Sequence, residues 1–600
     1  MLSIFMLLIG VVKTQAPKTK KAQIKAMAYV SFIYLSAIFF FYNQANISWT
    51  LVSSLLPIAS GSQALITIGT GAIIGFCIWF FLRALKNGRL TKRYTLTKKN
   101  WGMFILSTLL LFSGSLAYTS SRWAMNGIGN MRFDQIVFAM TQPLKGSDPG
   151  QIQAFILQPL LEAVLWSTPV ISLMYLLLTY SFKQRKHFYR PSWALATGIL
   201  GLVAGISLSA KVIGYADIKA YYFEHTEIYE NNYVDPREVK LTFPEKKRNL
   251  VYIFMESMES SYMSTDLGGS QPANLLPNLS ELAENEGIHF SNTNQLGGGM
   301  RQVPGANQTA SSMVAQTSGL PLRPSTSLGG SDSSGSNSAE YFPGAYSIGE
   351  ILEKEGYNQT LLMGSKAEFA GRDQYFHQHG NYEIRDYNWA IENGKIPEDY
   401  FVWWGYEDNK LFDFAKETLT ELAAKEEPFN LTMLTADTHF EDGYATEETP
   451  DIFGDQYSNV IHASDQQIMA FLSWMKEQPF YENTTVVLCG DHLTMDSDFF
   501  AELDPGYQRS VYNVFLNTDK KEVRKDNRQF SAMDMFPTTL SALNVKIEGN
   551  RLGLGTNLFS SKETVMEKLG YDTFESELMK GSKFYDERLM MKETSTTESE

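Results

Sequence analysis

Four polar clusters stand out because each follows an apolar run of strand length. Glu256 follows Leu250-Val-Tyr-Ile-Phe-Met255, and Asp491-His492 follows Thr484-Thr-Val-Val-Leu-Cys-Gly490. Asp437-Thr438-His439 stands just after Phe429–Leu434, and Gly364-Ser365-Lys366 after Thr360–Met363. Open α/β sheets bind ligands at the carboxyl ends of their strands, so these four ends are expected to meet at one site. Two carboxylates and an imidazole are a suitable ligand set for a divalent cation. The stretch Pro304-Gly-Ala-Asn-Gln-Thr-Ala-Ser-Ser-Met313 reads as a loop entering a helix at or just after Thr309. A hydroxyl there lies where free backbone N–H groups and the helix dipole favour a phosphate. Each feature alone has a plainer reading: Glu256 as a solvated or capping residue, Asp491-His492 as a turn, Thr309 as a helix N-cap.

The elements that must hold these residues follow from the alternation of short apolar runs with amphipathic segments beyond Lys246. That alternation predicts an α/β domain with a mostly parallel sheet and helices on both faces. Candidate strands are Leu250–Met255, Thr360–Met363, Phe429–Leu434, Thr484–Leu488 and Val511–Leu516; candidate helices are Asn409–Lys425, Tyr457–Lys476 and Met533–Leu543. Ser318–Ser338, rich in Ser and Gly, reads as a flexible surface loop, and the polar tail Ser595–Glu600 as disordered.

The first third differs in kind. Apolar runs at about Ala26–Tyr42, Ala64–Leu82, Met103–Ser120, Ala163–Phe182 and Trp193–Ile213, with a shorter one at Met1–Val12, have the length of helices crossing a hydrocarbon core. Lys13, Lys18, Lys20, Lys21 and Lys25 follow the first run. Seven basic residues lie between Arg83 and Lys99, and more between Lys183 and Arg190. The positive-inside rule makes those loops cytoplasmic and everything beyond about Ala216 external, whether five or six helices cross. The chain is thus read as a transmembrane domain over residues 1–214, a linker over 215–247, an extracellular catalytic domain over 248–560 and a C-terminal extension over 561–600.

Acidic residues lie almost entirely beyond Ala216, where they produce the net charge of -14. Such a balance excludes a nucleic-acid binder, which needs a basic face. Only two cysteines are present, Cys77 and Cys489, both in apolar runs and both read as small buried hydrophobes.

Together, Asn249-Leu-Val-Tyr-Ile-Phe-Met-Glu-Ser257, Gln308-Thr-Ala-Ser-Ser-Met-Val-Ala315, Ala436-Asp-Thr-His439 and Gly490-Asp-His492 resemble the lipoteichoic acid synthase and phosphoglycerol transferase family. This is a membrane branch of the alkaline phosphatase and sulfatase superfamily. Phe133–Gly146 also looks like the external loop of such proteins, and the nearest likeness is to phosphoglycerol transferases that decorate periplasmic glucans. The resemblance implies that Glu256, Thr309, Asp491 and His492 surround one metal ion, with Thr309 as ligand and nucleophile. Coordination to a cation would lower the pKa of the threonine hydroxyl. The oxygen-rich set suits Mn2+ best, with Mg2+ or Zn2+ as alternatives. His439 and Arg372 match positions that bind the phosphoglycerol group; without the resemblance, Arg372 would read as a surface arginine. The chain departs from the family where a serine is expected shortly after Asp491-His492, since Asp496 stands near that place. His377, His379 and His462 read as structural.

The reaction so implied moves glycerol phosphate from a phosphatidylglycerol donor, through a covalent Thr309 intermediate, to a cell-surface glycan or teichoic acid acceptor. Alternatives are a phosphoethanolamine transferase, disfavoured by the lack of an external cysteine pair, and a non-catalytic metal-binding sensor. A sulfatase proper would need a Cys or Ser in a Cys/Ser-x-Pro-x-Arg setting, which Thr309-Ala-Ser-Ser-Met313 lacks.

Overall fold

The computed structural model describes residues 90–92, 97–127, 131–141, 156–182, 190–324, 340–496, 498–520 and 524–591. The apolar runs at Met1–Val12, Ala26–Tyr42 and Ala64–Leu82, the first basic loop, Cys77, most of Ser318–Ser338 and the tail Ser595–Glu600 lie outside those residues. Contacts divide the chain into two compact units, Met1–Trp123 with Gly150–Ser209, and Ala124–Pro149 with Ala210–Glu600.

The three remaining apolar runs are helices, α1 (Lys98–Gly127), α3 (Leu161–Thr179) and α4 (Pro191–Ile213), whereas α2 (Phe133–Thr141), between the first two in sequence, belongs to the second unit. Each of the three is long and apolar enough to cross a membrane. Small residues let α1 and α4 touch backbone to backbone. A Cβ on Gly205 would stand 2.1 Å from Gly114 O, so no larger residue fits this crossing. Arg122 of α1 is paired with Glu162 of α3 at 3.2 Å, and Trp166 Nε1 donates to the same carboxylate at 3.1 Å. Neither charge is left alone in an apolar setting.

The second unit is built on a six-stranded sheet. Its strands are β1 (Asn249–Met255), β2 (Asn358–Met363), β3 (Glu383–Arg385), β4 (Phe429–Leu434), β5 (Thr484–Gly490) and β6 (Asn513–Leu516). They lie side by side in the order β3-β2-β4-β1-β5-β6. The first five are parallel and β6 runs antiparallel to β5. Every residue of β1, β4 and β5 is buried, as expected of central parallel strands covered on both faces. Alternate residues of β1 feed two cores. Tyr252 and Phe254 pack with Met313 and Val314 of α6 (Thr309–Ser318) and Phe536 and Leu540 of α11 (Ala532–Ala542). Val251, Ile253 and Met255 pack with Leu411 and Phe412 of α9 (Asp408–Ala423) and Ile461 and Ile468 of α10 (Gln456–Lys476). Helices therefore cover both faces of a mostly parallel sheet. Strand β3 and the helices α7 (Ile348–Lys354) and α8 (Arg372–Gln378) complete one edge.

Helix α5 (Tyr215–Phe223) and α12 (Tyr571–Met579) belong to the same unit, with Tyr221, Phe574 and Leu578 buried. Cys489, near the end of β5, is fully buried, where burial pushes its thiol well up.

Candidate active site

Register explains why Glu256 and Asp491 meet. Met255 pairs with Gly490 across β1 and β5, and Phe254 pairs with Leu434 across β1 and β4. The next residues of three parallel strands must emerge together. The turn after β1 is tight: Ser257 has φ 53°, a left-handed conformation that is strained for a residue with a side chain. That geometry lets Ser257 N donate to Asp491 Oδ1 at 2.8 Å while Ser257 Oγ donates to Glu256 Oε1 at 2.9 Å. Thr435 Oγ1 accepts from Glu256 N at 2.9 Å, and Thr438 Oγ1 donates to Glu256 O at 2.5 Å. The strand end is fixed from both neighbours.

Thr309 comes from outside the sheet. It is the first residue of α6 rather than its cap, which is Gln308. Polar ties fasten this helix to the end of β5: Ser312 Oγ donates to Asp491 O at 2.5 Å, and Gln316 Nε2 donates to Gly490 O at 3.1 Å. Tyr252 OH, on β1, donates to Gln316 Oε1 at 2.6 Å. The Thr309 hydroxyl is thereby set 3.2 Å from Glu256 Oε2 and 3.3 Å from His492 Nε2. Sequence reasoning passed over Ser312 and Gln316. Their signal was visible as polar residues three and seven positions after Thr309, which puts them on one side of the helix.

The electrostatics of this cluster are unusual. His492 Nε2 lies 3.5 Å from Glu256 Oε1 and 3.4 Å from Asp491 Oδ2. Its Nδ1 donates to Leu493 O at 2.8 Å, which leaves Nε2 as a lone-pair donor facing the carboxylates. Burial, followed by the charge of Glu256, raises the Asp491 carboxyl to about 7. Burial opposes ionisation of His492, yet the Asp491 and Glu256 carboxylates outweigh it and raise its pKa. Asp491 Oδ2 is buried without a hydrogen-bond partner among the described residues. Ligand atoms of Glu256, Asp491 and His492 all fall within 4.8 Å of one another. Two crowded carboxylates, an orphaned oxygen and an imidazole lone pair are what a divalent cation would satisfy.

The other two expected residues come from a helix start and a loop, Arg372 opening α8 and His439 following β4. Arg372 is buried, not a surface residue. Ala370 (φ 55°) and Gly371 (φ 70°) turn the chain into α8, and a Cβ on Gly371 would meet the Tyr341 ring at 2.4 Å. The guanidinium is held by Nε donating to Phe369 O at 3.1 Å and Nη2 donating to Lys366 O at 2.9 Å and Ser365 Oγ at 3.2 Å. Burial lowers its pKa to about 10, against the pull of Glu256, Asp386, Asp373 and Asp491, so it stays charged. His439 lies on the loop after β4, with Nδ1 donating to Phe440 O at 2.7 Å and its ring 4.5 Å from that of Trp404.

Outside the cluster, His379 pairs with Glu350 at 3.0 Å and His462 Nδ1 donates to Leu275 O at 3.1 Å. Both are tied into the scaffold. Asp496 accepts from Asp442 N at 2.9 Å and Phe499 N at 3.2 Å, which makes it a loop-closing residue.

The model of the sulfatase family matches residues 248–545. Phosphoglycerol transferase I of Escherichia coli O127:H6 is 27% identical over 496 residues, covering 80% of this chain and 58% of that protein. The chain therefore spans less than two thirds of the length of such relatives. Among solved structures, a lipoteichoic acid synthase from Listeria monocytogenes is similar with TM-score 0.42 and 17% identity, over 54% of this chain and 79% of that one. An integral membrane lipooligosaccharide phosphoethanolamine transferase from Neisseria meningitidis is similar with TM-score 0.44 and 13% identity, over 86% and 96% respectively. Residues 248–545 are a sulfatase-family domain, and the chain that carries it, with three apolar helices of spanning length among its described residues, is a membrane protein.

Proposed function

We propose that the chain is a metal-dependent phosphoglycerol transferase with Thr309 as its nucleophile. The observation that carries this reading is the Thr309 hydroxyl at a helix N-terminus, within hydrogen-bond reach of Glu256 and His492 and beside the orphaned oxygen of Asp491. The likeness to phosphoglycerol transferase I supports the choice of transferred group. Glu256, Thr309, Asp491 and His492 would hold a divalent cation, Mn2+ by preference, which supplies charge that acidifies the threonine hydroxyl and neutralises phosphate.

The chain's own residues do the rest. Thr309 Oγ attacks the phosphorus of a phosphatidylglycerol headgroup, and the bond from phosphorus to the diacylglycerol oxygen breaks. Arg372, with its plane fixed by three hydrogen bonds, pairs with the phosphate oxygens. His439 gives the departing diacylglycerol oxygen its proton. A hydroxyl of a cell-surface glycan or teichoic acid then attacks the phosphorus of the glycerophosphoryl-threonine and gives its proton back to His439, the bond from phosphorus to Thr309 Oγ breaks, and the threonine oxygen regains from solvent the proton it lost in the first half. The buried, tethered site keeps the donor groups preorganised for both halves.

The external orientation rests on charge and parity. If α1, α3 and α4 each cross once, α2 and the sulfatase-family domain lie on one side of the membrane and Lys183–Arg190 on the other. Hydrogen bonds between α2 and that domain support the first condition, and the positive-inside rule makes the basic side cytoplasmic.

Purified protein with phosphatidylglycerol and Mn2+ should release diacylglycerol and, with acceptor withheld, trap a glycerophosphoryl group on Thr309. Thr309→Ala should abolish both. Full activity of that variant, or release from phosphatidylethanolamine instead, would refute the proposal.

A further inference from the structure

The loop that delivers Thr309 is not held by the sulfatase-family domain alone. Helix α2 arrives from a position more than one hundred residues upstream and buries two polar side chains against it. Asp134 and Gln135 are each only 5% exposed, and Asn307 only 2%. Asp134 Oδ2 accepts from Asn307 Nδ2 at 2.8 Å and from Gly305 N at 3.2 Å. Gln135 Nε2 donates to Asn307 O at 2.7 Å, and Gln308 Nε2 donates to Gln135 O at 3.5 Å. Three of the four residues just before Thr309 are therefore bonded to α2. Gly305 must stay open, since it sits at φ 72° and a Cβ there would meet Pro321 Cβ at 2.8 Å.

The clamp is itself braced. Arg132 N donates to Gln135 Oε1 at 2.7 Å, and Arg132 Nη1 donates to Glu575 Oε1 of α12 at 2.5 Å. Tyr571 OH, on the same helix, donates to Gln302 O at 3.0 Å, and Gln302 Oε1 accepts from Leu493 N at 2.8 Å. The stretch before the nucleophile is thus fixed at one end to the residue following His492 and at the other to α2.

We infer that Asp134 and Gln135 are positioning residues that fix the Gly305–Gln308 turn and so set where Thr309 presents its hydroxyl. A buried carboxylate that accepts from one amide side chain and one backbone N–H, with Arg132 Nε 3.6 Å from its other oxygen, is a strong and directional tie. Its sequence position between α1 and α3 links the nucleophile loop to the membrane-spanning part of the chain. The inference rests on the reading of Thr309 as nucleophile.

The test compares full-length wild type, Asp134→Ala, Asp134→Asn, Asn307→Asp, the swap Asp134→Asn/Asn307→Asp, and Thr309→Ala in detergent, with phosphatidylglycerol and Mn2+. Asp134→Ala should lower kcat for diacylglycerol release at least tenfold with KM for the lipid little changed, because loop geometry and not headgroup binding is lost. Asp134→Asn should retain part of the rate through its amide oxygen, and the swap should exceed Asn307→Asp alone, in which two carboxylates face each other. Amide hydrogen exchange over residues 303–309 should rise in Asp134→Ala and return toward wild type in the swap. Wild-type kcat and unchanged exchange in Asp134→Ala, with Thr309→Ala inactive, would overturn the clamp alone. An active Thr309→Ala would overturn the nucleophile reading instead. A swap no better than Asn307→Asp would also count against the clamp.

Discussion

Asp491→Asn should stabilise the metal-free protein. The carboxyl is fully buried, and burial with the Glu256 charge raises its pKa to about 7. An unfolded aspartate titrates near ~3.9. Because the folded value is the higher one, the ionised carboxylate weakens the fold. The penalty is absent below the unfolded pKa, grows as pH rises through the window between the two values, and is complete above about 7. About three pKa units at ~1.4 kcal/mol each give a penalty of about 4 kcal/mol at pH 8, falling to about 1.5 kcal/mol at pH 5. Asparagine keeps Oδ1 as acceptor for Ser257 N and His492 N, both now at 2.8 Å, and its Nδ2 would face His492 Nε2 where Asp491 Oδ2 now lies 3.4 Å away. The measurement is the apparent Tm of full-length protein in detergent, followed by tryptophan fluorescence. In EDTA at pH 8 the variant should melt later than wild type, by a margin that narrows toward pH 5. Mn2+ at one hundred times its Kd should then stabilise wild type by about 2.7 kcal/mol and narrow the gap to about 1 kcal/mol, since the variant has lost a charged ligand and gains less. A variant that melts earlier than wild type in EDTA at pH 8, or that gains as much from Mn2+, would refute the account of two crowded carboxylates awaiting a cation.

Two further expectations concern arginines. Arg372→Lys cannot reproduce three hydrogen bonds from one planar group, so transfer should fall roughly 10- to 100-fold, mostly through a higher KM for the donor lipid. Unchanged steady-state kinetics would remove Arg372 from headgroup binding. Arg528 is 1% exposed and donates to Glu567 and to the carbonyls of Leu558, Ser560 and Lys562. Arg528→Leu should cost about 3–5 kcal/mol, nearer the lower figure because Arg524 also pairs with Glu567. A urea midpoint equal to wild type would exclude that brace.

The central strands were legible because a parallel strand covered on both faces is largely apolar. β4 begins and ends where its apolar run does, and β1 and β5 extend theirs by one and two residues. The long helices α9, α10 and α11 were legible from their period, each within two residues of the expected ends. Strand β3, with only three residues of which one is exposed, had too little apolar content to register. The residues of the candidate site were legible as types at strand ends, and the family resemblance supplied their joint meaning.

Residue order along the chain determined which groups leave each strand, that the first third is apolar, and that Thr309 opens a helix. Tertiary structure decided their distances. Glu256 and Asp491 are 235 residues apart in sequence and meet because parallel register aligns Met255 with Gly490. Arg372 reads as a surface residue in sequence because nothing local records that a left-handed turn at Ala370 and Gly371 directs it inward. The bonds from Asp134 and Gln135 to the nucleophile loop were equally invisible, since a buried carboxylate is defined by the partners it meets across the fold and not by its neighbours in the chain.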